Sequence, residues 1–454
     1  LSLPLSRALA RFMLERRRTL PPEIRAQARL HIADSVGIAR AAAVAGGPAD
    51  QVFAALQAGS AGGECGVFGS TRREAPAVAA FANSALVHIL DFDDIHDAAR
   101  LHPTTLSLPA ALAAAQLVGA APASVVEGVA LGDELMCRFG VMCSPTGAGP
   151  GSDWFLTQLF GYFGAALAAA VVLDLDEDGL VSAFGLAYMQ AAGGKQAGFG
   201  TGATARAVYP AFAAMGGVQA CLLARAGISG PEGAFDGDAG LFRLYLGGPP
   251  TAEQAAVLLD PGMWHFTGTQ LKPWPCCRLS HPYVAAALAL RAQSSGAVPV
   301  RVEAAVNASA AKLCRPLAQR RRPTTLQDAK YSIPWMIAFT LVHGRVDLTT
   351  LSETALADAA VLAVAQRVEV VENLPDRPGH PPARIRLEAA DGRQWESPPA
   401  VAVASLGPEA AARKFSDCLS PAGATRPESD ALWSRLMAFD RETGIDFLFG
   451  RGAA

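Results

Sequence analysis

Hydrophobic and polar positions change rhythm once along this chain. From the start to about residue 265, stretches dense in Ala and Leu, at 23–45, 75–90, 103–118, 123–139, 161–172 and 180–192, are separated by Gly/Pro breaks and carry apolar residues on nearly every face. That pattern predicts a multilayered helical domain in which small side chains let helices approach closely. After about 265, residues 300–308, 367–372 and 383–388 alternate apolar and polar as strands do, and 389–392 supply a turn before 393–397. Helical candidates at 281–293 and 331–343 lie between the strands, and 407–449 returns to helix. The expected fold is mainly α: a large all-helical domain made of 1–265 together with 401–454, and a smaller α+β domain at 266–400. The longest apolar run, 159–173, is shorter than the ~20 residues of a spanning helix and predicts a buried one.

Composition narrows the classes. The 454 residues are 51% hydrophobic and only 17% charged, which excludes a disordered chain. Lys plus Arg number 38 against 41 Asp plus Glu, a net charge of −3, so neither nucleic-acid nor membrane binding is expected. The eight cysteines include no C-x-x-C pair, so thiolate zinc and iron–sulfur spacings find no support; buried, reduced thiols and a cytoplasmic location are expected. The amphipathic N-terminal stretch lacks the apolar core of a secretory signal. Gly200-Thr-Gly202-Ala-Thr-Ala205 matches a loose dinucleotide pattern but follows helix rather than strand; no P-loop surrounds Lys195, and no G-x-S-x-G occurs.

Two segments concentrate chemistry. HILDFDDIHDAARLH, from His88 to His102, holds His88, Asp91, Asp93, Asp94, His96, Asp97, Arg100 and His102. Carboxylates beside imidazoles make general acid–base pairs, each biasing the other's proton affinity. His88 and Asp91 are three apart and could share a helix face, and His102-Pro103 precedes a helix start able to receive an anion. The plainer reading is a solvated loop between buried helices. A metal at Asp91-x-Asp93-Asp94 is not expected, because adjacent carboxylates point apart and no second acidic cluster completes a site. In Lys272-Pro-Trp-Pro-Cys276-Cys277-Arg278-Leu-Ser-His281, two prolines fix the backbone that presents Lys272, Arg278 and His281, a set suited to a di- or tricarboxylate or simply to a rigid linker. Cys276 and Cys277 show no sign of thiol activation. Arg206 follows the glycine-rich loop.

Together these segments resemble the MmgE/PrpD family, which includes 2-methylcitrate dehydratase, cis-aconitate decarboxylase and iminodisuccinate epimerase. The likeness runs through His31-Ile-Ala-Asp34-Ser-Val-Gly37, Ala80-Phe-Ala-Asn83 to His88, Asp91-Phe-Asp93-Asp94, His102-Pro103, Gly132-Asp-Glu-Leu, Lys272-Pro-Trp-Pro-Cys276 with His281, and Lys414-Phe415. It implies a helical domain built from both termini, a smaller α+β domain, a homodimer, and an active site between the domains that uses no metal or organic cofactor. By position, Asp91, His102 and Lys272 match the family's catalytic residues, and Arg206, Arg278, His281 and Asp94 would bind substrate. Three positions depart from the family: Phe155 where many members have histidine, Arg206 where many have lysine, and Ile95 where threonine is frequent. The implied activity is a cofactor-independent lyase, a dehydratase acting on a small polycarboxylate. An epimerase, isomerase or decarboxylase, and a non-catalytic carboxylate-binding scaffold, are the alternatives.

Overall fold

The computed structural model describes residues 3–143, 153–199, 203–376, 382–398 and 405–450; Gly200 and Gly202 of the dinucleotide-like pattern, and residues 401–404 at the expected domain boundary, lie outside them. The chain divides into two compact units, Leu1–Lys195 with Ala205–Leu271 and Leu406–Ala454, and Gln196–Thr204 with Lys272–Ser405. The fold is mainly α, with the sheet confined to the second unit apart from two short ladders.

In the first unit, helix Leu156–Val172 packs against Pro122–Cys143, Thr104–Val118 and Ala211–Arg225. Every residue from Leu159 to Val172 is buried, so the run is apolar all round because it has no solvent face. Glycines set the helix spacing: a Cβ on Gly132 would stand 2.7 Å from the Gly164 carbonyl oxygen, and one on Gly128 2.6 Å from that of Ala168. Several helices open on proline at the first turn, among them Pro22–Ala42, Pro76–His88 and Pro408–Leu419, where a missing N–H costs nothing. Helix Pro408–Leu419 packs on Pro22–Ala42, with Phe415 over Gly37. The unit is not purely helical, as the pattern had suggested. Cys65–Gly66 pairs with Arg73–Glu74, and Ile95–His96 with Thr269–Gln270. Two-residue ladders are too short for alternation to reveal.

The second unit holds a four-stranded sheet. Pro299–Val306 runs parallel to Val368–Glu372 on one side and antiparallel to Arg384–Ala389 on the other, which pairs in turn with Gln394–Glu396. The parallel pair needs a crossover, and the helices between residues 308 and 366 provide it. Val302, Ala304 and Val306 point into a core shared with helices His281–Gln293 and Ile333–His343, and the Tyr283 hydroxyl donates to the Ala305 carbonyl at 3.0 Å.

The eight cysteines are free, and burial pushes Cys65 up to about 11 and Cys314 and Cys418 up to about 12, the signature of inert core thiols. Among the described residues no helix is long and apolar enough to cross a membrane.

Candidate active site

Helix Pro76–His88 ends on His88. Asp91 follows in a turn, its N–H donating to the His88 carbonyl at 2.8 Å and its φ at +54°, a left-handed value uncommon for a residue with a Cβ. His88 and Asp91 therefore do not share a helix face, and the turn brings Asp93 to His88 instead. His88 Nδ1 lies 2.7 Å from Asp93 Oδ2. The same oxygen accepts from the Thr105 hydroxyl at 2.7 Å and lies 3.3 Å from His102 Nδ1.

His102 is held at three points. Its backbone N–H donates to Thr157 Oγ1 at 3.1 Å, and its Nδ1 lies 2.5 Å from the Asp94 carbonyl and 3.3 Å from the Asp93 carboxylate. A carbonyl oxygen only accepts, so Nδ1 carries a proton, and in the neutral ring the basic nitrogen is then Nε2. The side chain is 15% exposed, against 1% for that of His88.

Behind this pair runs a buried chain of polar groups. Asp94 Oδ2 meets His31 Nδ1 at 2.7 Å and the Thr104 hydroxyl at 2.5 Å, while Thr104 Oγ1 lies 2.7 Å from Asp133 Oδ2. One hydroxyl proton cannot serve two carboxylates, so one carboxyl must donate. Burial holds Asp133 well above the usual carboxylate range and the Asp94 charge adds to this, against the opposing bonds from Ser107 and Thr104. Protonated Asp133 donates to Thr104, which donates to Asp94. Asp94, expected to bind substrate, thus spends Oδ2 on the protein itself. His96 is likewise engaged: its Nε2–H donates to the His265 carbonyl at 2.9 Å, its Nδ1 accepts from the Ala99 N–H at 3.0 Å, and burial lowers its proton affinity.

Tyr209 adds an aromatic wall. Its ring stacks on Phe155 at 4.1 Å and meets His88 edge to face at 5.1 Å. Burial raises its hydroxyl's pKa; a hydrogen bond with Thr157 and the charge of buried Arg206 oppose this, while Asp93 and Asp91 add to it. Phe155, standing where many relatives have histidine, is thus packed as a hydrophobe.

Lys272, Arg278 and His281 belong to the second unit and are buried there. An Arg278 guanidinium nitrogen lies 3.3 Å from His281 Nδ1, and His281 Nε2 lies 3.3 Å from the Cys276 carbonyl. Guanidinium only donates and carbonyl only accepts, so Nδ1 accepts and Nε2–H donates. His281 thus meets Arg278 through Nδ1 and the Cys276 carbonyl through Nε2.

Among the described residues, one group of three could hold a metal: His88, Asp93 and His102, with ligand atoms within 4.8 Å of one another. This is not the Asp91-x-Asp93-Asp94 set weighed in the sequence, since two histidines stand beside Asp93. Two histidines and a carboxylate suit a transition ion, but both Nδ1 atoms are already bonded to Asp93 or to the Asp94 carbonyl.

Sequence reasoning missed Thr104, Thr105, Asp133, Thr157 and Tyr209. Asp133 and His31 stand inside quoted motifs, but no local spacing showed that they join the site.

A mainly helical chain with a buried histidine–carboxylate cluster and a separate α+β unit defines a protein class, and comparison with known proteins identifies it. Sequence models of the MmgE/PrpD N-terminal domain and the MmgE/PrpD C-terminal domain match residues 7–254 and 274–429. The chain belongs to the MmgE/PrpD family. A cis-aconitate decarboxylase-like protein, oryM, of Aspergillus oryzae is 31% identical over 353 residues, 74% of this chain and 73% of that protein. The cis-aconitate decarboxylase of Aspergillus terreus is 30% identical over 232 residues, 48% of this chain and 46% of that protein, so this match spans just under half the relative's length.

Proposed function

We propose that this chain is a lyase acting on a small polycarboxylate, a decarboxylase or dehydratase that works by moving a proton at carbon next to a carboxylate. The observation that carries this reading is the placement of His102, its Nδ1 turned to the Asp94 carbonyl and the Asp93 carboxylate and its side chain partly open, in a chain related over most of its length to a cis-aconitate decarboxylase-like protein. His102 exchanges the proton and Asp91 assists it. Lys272, Arg206 and Arg278 supply positive charge to the substrate's carboxylates, offsetting the charge of an enediolate as it forms. Arginine at 206 suits a carboxylate clamp better than a proton donor, because guanidinium does not give up its proton. A cytoplasmic homodimer needing no cofactor belongs to the same reading.

Proton NMR of the EDTA-treated protein in deuterated water tests it, with cis-aconitate, citrate, 2-methylcitrate, malate, tartrate and iminodisuccinate as substrates. A new alkene or released carbon dioxide, with deuterium entering carbon beside a carboxylate, is the expected result. Exchange without net alkene would reassign the chain as an epimerase. Inertness toward all six, with no line broadening, would leave a carboxylate-binding scaffold or a substrate of another class.

A further inference from the structure

We infer that His88 is a second proton-exchanging group of this site, acting on the bound acid through Nε2 while Asp93 holds Nδ1. The inference rests on the lyase reading above and adds a group to it.

His88 closes helix Pro76–His88 with its side chain 1% exposed. Its Nδ1 lies 2.7 Å from Asp93 Oδ2, an oxygen that also accepts from Thr105. A carboxylate oxygen taking such bonds has only lone pairs to offer, so Nδ1 carries a proton, and in the neutral ring the lone pair is on Nε2. That Nε2 is buried and meets no hydrogen-bond partner among the described residues. The rings beside it are His102, tilted 69° at 5.3 Å, and Tyr209, at 87° and 5.1 Å. The Tyr209 hydroxyl is engaged with Thr157. Burying an acceptor without a donor is unfavourable, and proteins rarely leave one so. An imidazole oriented by a carboxylate, its far nitrogen unserved, is a base whose partner arrives with the ligand.

Asp93 therefore orients two imidazoles with one oxygen, and the two differ in access to water. His102 is 15% exposed and His88 1%. In the step assigned to His88, Nε2 takes the proton from carbon beside a carboxylate. The C–H electron pair passes into that carboxylate as an enediolate, and Asp93 balances the imidazolium. When the intermediate collapses, the same nitrogen returns the proton to a departing hydroxyl or to a neighbouring carbon, so the histidine ends as it began.

Two substitutions separate this role from mere support of Asp93. His88→Asn keeps a donor at the Nδ1 place and deletes Nε2; His88→Gln places an amide near the Nε2 position, where it cannot take a proton. On the full-length chain, with the acid turned over by wild type, His88→Asn should lose kcat by about a hundredfold or more, with KM within about threefold and an unchanged unfolding midpoint. Deuterium entry at the reacting carbon should fall in parallel. A His88→Asn protein retaining wild-type kcat and exchange overturns the inference. Should that variant fail to fold, His88→Gln decides on the same readings: loss of turnover supports the assignment and wild-type turnover sinks it. Wild type inert toward every acid overturns the lyase reading and this assignment together, whereas an active wild type with an equally active variant overturns this assignment alone.

Discussion

Lys414 Nζ lies 2.9 Å from the Asp34 carboxylate, joining side chains 380 positions apart in sequence at a fully buried point. The same ammonium donates to the Phe92 carbonyl at 2.9 Å and sits 3.9 Å over the Phe92 ring. Helix Pro408–Leu419 thereby grips the backbone between Asp91 and Asp93.

Lys414→Met should destabilise the protein by roughly 3–5 kcal/mol, because it leaves the Asp34 carboxylate buried and uncompensated. Burial already raises Asp34, with Lys414 opposing, so without the lysine Asp34 holds its proton to higher pH in the folded state than in the unfolded chain. The variant should regain stability on acidification, and Asp34→Asn added to it should recover much of the loss. Urea unfolding of the single and double variants at two pH values checks this.

Asp133 gives a pH dependence of definite sign. Its folded-state pKa is raised by burial and by the Asp94 charge, so the folded protein keeps a proton that the unfolded chain releases near pH 4. Its stabilising contribution is complete below that pH and is lost as pH rises through the raised value, with a slope of at most about 1.4 kcal/mol per pH unit. Asp133→Asn, which places an uncharged donor at the same point, should flatten that slope in unfolding curves measured from pH 4 upward. Parallel curves for the two proteins would contradict protonation of Asp133.

His102→Ala should lower turnover by about 10²–10⁴ while leaving the fold and calorimetric binding of a tricarboxylate measurable. Turnover at the wild-type rate would remove His102 from the chemistry.

Exhaustive EDTA dialysis should leave activity unchanged, since the proposed lyase chemistry draws only on protein side chains. An activity lost on dialysis and restored by one divalent ion, with metal analysis returning one equivalent, would make His88, Asp93 and His102 ligands instead.

Local patterns carried the elements because period and punctuation are local properties. Strand Pro299–Val306 and helix His281–Gln293 could be read from alternation and from an apolar run opening on His-Pro. The window from His88 to His102 stood out for the same reason: charge packed into a stretch bounded by apolar helices. The partner of each imidazole did not follow. Spacing favoured Asp91 beside His88, but the helix stops at His88 and the left-handed turn at Asp91 carries Asp93 to Nδ1.

The sequence by itself thus determined the helical layers, the strands, the family and the segment where titratable groups concentrate, all of which depend on neighbours a few positions away. The tertiary structure alone decided which group meets each imidazole Nδ1. Orientation of the imidazoles depends on Thr157, Tyr209 and the Asp94 carbonyl, and the charge behind them on His31, Thr104, Asp133 and Lys414, groups brought together by helix packing. Proton position in a buried cluster is a property of all its contacts at once, and those contacts form only when distant segments close over one another.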